Sequence, residues 1–312
     1  MLEHLNTAAG VFLLFLRFRV LGWCGEMVYC SLAHWRLCEK RGFLNGPLCP
    51  IYGHGALLVL LVLRGGCGSP VLTFLLGGLL TTALEYVTSW AMEKLFHMRW
   101  WDYSNCFCNL GGRVCLLNST LFGLASAGLC HWLSPIVNGW VLGLFDLGVA
   151  VPLAAVLLVL YLADIVLSVR SAIQIGSRLA KLHAIQEEFS RKLEELRAEQ
   201  QRVLEAQLQK VAQQRERLGE GIAAAREAAG VRADQAAQAL QSRLEPLGEL
   251  RGEFAQRLEQ MKAEAQRRAR ELYEGQDFFE RRLMRAFPKL RSPLHSDALK
   301  KLREYWESRK KH

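Results

Sequence analysis

Between residues 11 and 168 the chain turns apolar again and again, each time for about the length a helix needs to cross a bilayer. This limits its folds more than any other feature. A hydrocarbon core about 30 Å thick takes roughly 20 mostly apolar helical residues. Five stretches come near that length: 11–35, 51–64, 70–96, 114–133 and 140–168. The second is short, and crossing would require Gly42–Pro50 before it to be partly buried. Backbone at that depth must satisfy its own hydrogen bonds, so helices are the expected spanning element. Charge divides the chain in the same place. Residues 1–170 hold ten Lys/Arg and eight Asp/Glu, whereas 171–312 hold 29 and 22. The mean hydropathy of +0.09 therefore averages a lipid-soluble half with a strongly solvated one, which excludes a single soluble globular domain.

All nine cysteines lie in 1–170, an odd number set mostly in or beside apolar runs, which excludes a disulfide-stapled scaffold. Cys106-Phe107-Cys108 has no second pair at metal-ligand spacing, so buried thiols and no metal are expected. The first sixteen residues contain no Lys or Arg, and Arg17 and Arg19 interrupt the apolar run from Val11. A signal peptide needs a basic start before an unbroken apolar stretch, so the N-terminus is expected to stay attached.

Lys and Arg in the connections set the orientation. The 36–50 connection has Arg36, Lys40 and Arg41, and 94–113 has Lys94, Arg99 and Arg113. By contrast 64–69 has Arg64 alone, while 1–10 and 134–139 have none. Cationic loops resist translocation, so the richer side is expected to be cytoplasmic. Five crossings then leave the N-terminus outside and the basic tail inside.

Ionisable side chains within spans are costly and tend to face protein or a wet cavity. Glu26 and Glu85 each lie about 15 residues into their spans, roughly 20 Å from the outer surface at about 1.5 Å per residue. Thr82, Glu85 and Ser89 share one helical face. Glu26, Glu85, Thr82 and Ser89 are thus candidates for a single polar substrate pathway. The alternative is that each carboxylate pairs with an arginine of a neighbouring helix or loop, such as Arg113. Arg17 and Arg19 are placed roughly 10 Å from the outer surface, with Asp146 at similar depth. They are expected either to join an ion pair between the first and fifth spans or to snorkel to the headgroups. Pro152 should kink the fifth span.

Residues 42–56, GFLNGPLCPIYGHGA, contain two prolines and four glycines, which rules out a simple helix before Ile51. No Gly-x-x-x-x-Gly-Lys-Ser/Thr occurs anywhere, so no P-loop is present and no ATP hydrolysis by this chain is expected. Arg99-Trp-Trp-Asp-Tyr-Ser-Asn105 suits an inner interface, with Trp and Tyr at headgroup depth and Arg99 free to bind phosphate or pair with Asp102. Asn45, His54, Arg99, Asp102, Asn105, Arg113 and Asn118 are candidates for a site at the cytoplasmic mouth. The alternative is an anchoring belt with capping asparagines. His97 and His131, at span ends, are expected to be structural.

Three stretches, GFLNGPLCPIYGHGALLV (42–59), LLTTALEYVTSWAMEKLFHMRWWDYSN (79–105) and NLGGRVCLLNS (109–119), resemble the bacterial ABC-transporter permease family called type IV or CmpB-like. Leu21-Gly-Trp-Cys-Gly-Glu26 is similar to that family's first-helix motif, and 283–292 is similar to a stretch near its C-terminus. The resemblance covers about half the chain, chiefly 20–165. Two departures stand out: Arg17 and Arg19 in the first helix, and His54 where the pattern has an aromatic residue. The resemblance implies a transport-associated subunit of the bacterial cytoplasmic membrane that either needs a separate ATPase subunit or does not use ATP at all.

From Leu179 the chain is rich in Glu, Gln, Arg, Ala and Leu. Leu182, Phe189, Leu196 and Val203 recur every seven residues, and a second register runs Leu240, Leu244, Leu247, Phe254, Leu258, Met261, Ala265 and Leu272. Such steps make a coiled-coil seam, for a partner chain or a second copy. The tail is expected to be one long helix, kinked at Pro246, or a hairpin turning at 219–233. A last amphipathic piece with Leu294, Ala298, Leu299, Leu302 and Trp306 on one stripe would lie on anionic lipid or pack on the coil. The net charge of 171–312 is +7, but interleaved acids and the absence of a binding motif argue against nucleic acid.

The expected class is all-α: a polytopic membrane helix bundle of about five spans, then a long cytoplasmic coiled-coil helix. Its parts are a permease-like domain (1–170), a coiled coil (171–286) and a basic amphipathic segment (287–312). The leading function is a permease-like subunit without its own ATPase site, not an enzyme and using no cofactor. The rival is a membrane-anchored coiled-coil scaffold.

Overall fold

The computed structural model describes residues 7–34, 42–63, 68–225, 233–275 and 278–309. Arg36, Lys40, Arg41 and Arg64, which carry part of the orientation argument, lie outside the described residues. The helices are α1 (Ala8–His34), α2 (Pro50–Val62), α3 (Pro70–Phe96), α4 (Leu116–Gly128), α5 (Ser134–Asp146), α6 (Ala150–Ala225), α7 (Ala233–Glu274), α8 (Phe278–Ala286) and α9 (Ser296–Arg309). A hairpin of two very short strands, β1 (Asn109–Leu110) and β2 (Val114–Cys115), precedes α4. The chain forms two compact units, Met1–Leu179 with Gln276–His312, and Ala180–Gly275.

In the first unit, Ala8–Leu32, Pro70–Phe96, Leu116–Asp146 and the helix from Ala150 are long and apolar enough to cross a membrane. α2 is a shorter apolar helix of 13 residues. Its Val59, with Leu63 just beyond it, is buried in one cluster with Leu13, Leu14, Phe18, Val141, Ala150 and Ala154. α2 therefore reaches the same end of the bundle as the start of α1 and the α5–α6 turn. Pro50 and Pro70 open α2 and α3, where a preset φ helps and the missing N–H costs nothing.

The fourth and fifth apolar stretches break elsewhere than expected. Helix continues through 134–139 to Asp146, and the reversal falls at Leu147–Val149 around Gly148, whose φ is +69°. Ser134-Pro135 read as a break because proline cannot complete an α-helical ladder. The chain takes it up in a π-helical turn, Leu129–Leu133, where the Ser134 N–H reaches back to the Leu129 carbonyl. Asp146 thus closes α5, and Pro152 sits in the first turn of α6, where no partner carbonyl precedes it, so it has no ladder to kink. His131 lies in the π turn, its ring 3.3 Å from the Thr73 hydroxyl, and not at a span end.

Small residues bring α3 and α4 together. A β-carbon on Gly123 would sit 2.8 Å from the Phe74 carbonyl oxygen, and one on Gly77 would sit 2.3 Å from Ser126 Cβ. Such close approach lets backbones pack where the bilayer supplies no hydrophobic drive between helices.

In the second unit, α6 beyond Leu179 and α7 run antiparallel, since Glu188 meets Arg268 (2.9 Å) and Glu199 meets Arg257 (3.4 Å). Ile185, Phe189, Met261 and Ala265 line the seam between the arms. The exposed ion pairs contribute about 0–1 kcal/mol each, so apolar side chains set most of the register. The described residues hold two arms and not one long helix. The apex, 226–232, and the side chains of Leu240, Leu244, Pro246 and Leu247 lie outside them, although α7 continues through Pro246.

The basic end piece belongs to the first unit. Ala298, Leu299 and Leu302 of its stripe are buried, whereas Leu294 is exposed. The Trp306 side chain lies outside the described residues.

Candidate functional site

At the end of the bundle that carries the 42–49 and 97–115 connections, α3 presents Glu85, Ser89 and Glu93 four residues apart, on one face. Glu85 is 5% exposed. The Tyr103 hydroxyl donates to its Oε1 at 3.4 Å, and Asn118, in the first turn of α4, also hydrogen-bonds it. The other oxygen, Oε2, is buried without a hydrogen-bond partner among the described residues, as is the Thr82 hydroxyl one turn earlier. Glu26 of α1 is close enough to Glu85 to feel its charge and accepts a hydrogen bond from the Cys49 thiol at 3.5 Å. Gly22 makes this approach of α1 and α2 possible, since a β-carbon there would meet Tyr52 Cβ at 2.3 Å. Burial, and then the Glu85 charge, raise the Tyr103 hydroxyl well above its ordinary range, so it remains a donor.

Arg113, the partner that the alternative reading gave Glu85, goes elsewhere. Its guanidinium meets Glu93 at 2.8 Å and donates to the Ser89 hydroxyl at 3.4 Å. Arg99 meets the same Glu93 carboxylate at 3.2 Å and donates to the Gly111 carbonyl, so of the two roles open to it, phosphate binding or pairing with Asp102, the ion pair with Asp102 is not formed. Asp102 instead takes Arg291 at 2.7 Å and the hydroxyl and amide of Ser104. Desolvation pushes its pKa up, but the Ser104 hydrogen bonds and the Arg291 and Arg99 charges outweigh it and hold the carboxyl below its ordinary range.

The remaining mouth candidates scatter. Asn45 donates from its amide and side chain to Asp164 of α6, both at 2.8 Å, and the Gly46 amide takes the other Asp164 oxygen. His54 contacts the Pro50 carbonyl and stands edge-on to Phe15, away from the Glu85 cluster. Asn105 is exposed on its loop. Trp100 is a core residue, 2% exposed among Phe43, Phe96 and Phe287, and so no part of a headgroup belt.

The family profile described as "Putative ABC-transporter type IV" matches residues 13–169, just over half the chain. The chain belongs to this family. No curated protein and no solved structure matches it. The family domain contains Glu26, Glu85, Thr82, Ser89 and every mouth candidate, while the α6–α7 hairpin and 276–312 lie beyond it.

Within the family domain neither α1 arginine pairs with Asp146 among the described residues, and Arg19 is too buried to reach the headgroups. Arg17 lies over the Trp140 ring at 3.9 Å. Arg19 is 0% exposed and sits over the rings of Tyr161 (4.0 Å) and Phe15 (4.8 Å), with no hydrogen-bond acceptor for its three nitrogens among the described residues. Because α1 begins at Ala8, Arg19 is about 16 Å along it, near the middle of the span, too deep to snorkel. Among the described residues no group of three His, Cys, Asp or Glu is placed to hold a metal. Sequence reasoning missed Glu93, although its spacing from Glu85 and Ser89 was a sufficient signal. It placed Tyr103 in the interfacial belt and Asp164 wet at the inner interface, and so missed their partners, Glu85 and the amides of Asn45 and Gly46, which no local pattern marks.

Proposed function

We propose that the chain is a permease-like membrane subunit in which Glu26, Glu85 and Thr82 line the polar part of a substrate pathway. Membership of an ABC-transporter family supports a transport-associated membrane protein. The observation that carries the finer reading is Glu85: a buried carboxylate with one oxygen unpartnered among the described residues, while Arg113 is engaged by Glu93. Such a group is costly in a bundle that never admits water, protons or ligand. The subunit has no phosphate-cradling loop of its own and takes its energy from a separate ATPase. It is not an enzyme. Purification of the tagged full-length protein in mild detergent should bring down a nucleotide-binding ATPase. Recovery of envelope or filament proteins alone would favour the scaffold reading, for which a hairpin lying outside the family domain is the supporting observation.

The topology belongs to the same proposal: five crossings in a bacterial cytoplasmic membrane, with α2 and 42–49 together making the second, the N-terminus outside and the hairpin in the cytoplasm. Reporter fusions after 66 and 148 should read outside, and those after 104 and 180 inside. Position 148 lies in the turn between α5, which ends at Asp146, and α6, which begins at Ala150. A reversed pattern removes this topology.

A further inference from the structure

The motif loops of the family domain are tied down by a part of the chain that the family match does not reach. Arg282 of α8 donates to the carbonyls of Gly42 (3.0 Å), Phe43 (3.2 Å) and Leu44. Five residues on, the Phe287 ring stands edge-on to Trp100, with centroids 5.0 Å apart. Four further on, Arg291 exchanges both backbone hydrogen bonds with Arg99 (2.7 and 2.8 Å) and places its guanidinium on Asp102. Leu283 and Leu290, flanking these contacts, are each 1% exposed. The root is fixed too, since Glu280, 1% exposed, meets Arg178 at 3.1 Å.

The points held are not arbitrary. Residues 42–46 are the loop that clamps Asp164 of α6. Arg99 and Asp102 lead directly into Tyr103, whose hydroxyl covers Glu85 and whose amide bonds the Gly112 carbonyl of the β1–β2 hairpin. Moving Tyr103 off Glu85 therefore means moving the backbone that Arg291 pins. Most of these ties are arginine-to-carbonyl, carboxylate and single-bridge hydrogen bonds. Each is open to competition by water or another chain. A segment so attached can let go in steps while the apolar bundle stays folded.

We propose that residues 282–291 form a cytoplasmic strap that holds the Tyr103 loop over Glu85, so that the site opens to the cytoplasm only when the strap is displaced. This rests on the pathway reading of Glu85 and adds a control to it: an incoming cytoplasmic partner must compete with the chain's own segment for the 42–46 and 99–102 loops. Cys115 reports on the closed state. It is 2% exposed on β2, beside the Asn118 turn that reaches Glu85, whereas Cys108 on the same connection is exposed.

The full-length protein in inside-out membrane vesicles would be treated with a sulfonated, membrane-impermeant maleimide, and labelling read by peptide mass spectrometry at Cys115 relative to Cys108. Wild type should label Cys115 at least tenfold more slowly than Cys108. Combining Phe287→Ala with Arg291→Ala should raise the Cys115 rate about tenfold and leave Cys108 unchanged. The charge exchange Asp102→Arg with Arg291→Asp should return it toward wild type. If the double alanine variant does not fold, Asp102→Asn, which keeps the backbone bridge, should still accelerate Cys115 two- to fivefold. Equal Cys115 rates with and without the strap contacts would overturn the proposal, as would a wild-type Cys115 as reactive as Cys108. Labelling needs no transport, so an inactive pathway and an absent strap give separable results.

Discussion

Glu85→Gln should leave the protein folded and its thermal midpoint in detergent unchanged or slightly higher, while transport or the cellular phenotype falls at least a hundredfold. Gln keeps an acceptor for the Tyr103 hydroxyl and removes a buried carboxylate that no arginine among the described residues pairs with. Glu93→Gln should do the opposite to stability. It takes the carboxylate from both Arg99 and Arg113, whose side chains are 23% and 13% exposed. Leaving two part-buried guanidinium groups underpaired should cost on the order of 1–3 kcal/mol. Size-exclusion profiles after a heating series read both variants. A Glu85→Gln protein with full activity would defeat the pathway, and one as unstable as Glu93→Gln would make Glu85 a structural partner after all.

Removing 190–266 and joining the arms with about five Gly/Ser residues should leave the first unit folded at its original thermal midpoint. The cut falls just beyond Glu188 and Arg268, which face each other across the hairpin, so the new ends lie within reach of a short linker. This deletion separates the two function classes sharply. A permease-like subunit should retain its activity, because every candidate pathway residue lies in 13–169. A scaffold should lose its phenotype entirely, because the deleted arms would be its working surface. Activity assays beside the heating series decide between them.

The sequence carried the class of the fold well because the physics behind it is local. A run of apolar residues reports its own length. Breaks were less legible. Ser134-Pro135 looked like a loop because the cheaper remedy, a π turn that shifts the ladder by one residue, leaves no composition signal. Partners were least legible. That Arg113 chooses Glu93 over Glu85, or that Arg19 ends between two rings and not beside Asp146, depends on which helices become neighbours. Charge counts along the chain do not encode that. The seven-residue spacing of Leu182, Phe189, Leu196 and Val203 announced a seam but not whose, and within the described arms the chain itself supplies the other side.

That antiparallel hairpin carries a bookkeeping rule for change over generations. Each residue of the outgoing arm is indexed to one of the returning arm, as Glu188 to Arg268 and Glu199 to Arg257. A deletion in one arm alone slides every later pairing and turns the apolar stripe toward water. Matched deletions or insertions, seven residues in each arm, preserve both register and stripe. The hairpin is thus free to lengthen or shorten only in mirrored steps, and natural variants of this chain should differ there by even multiples of seven.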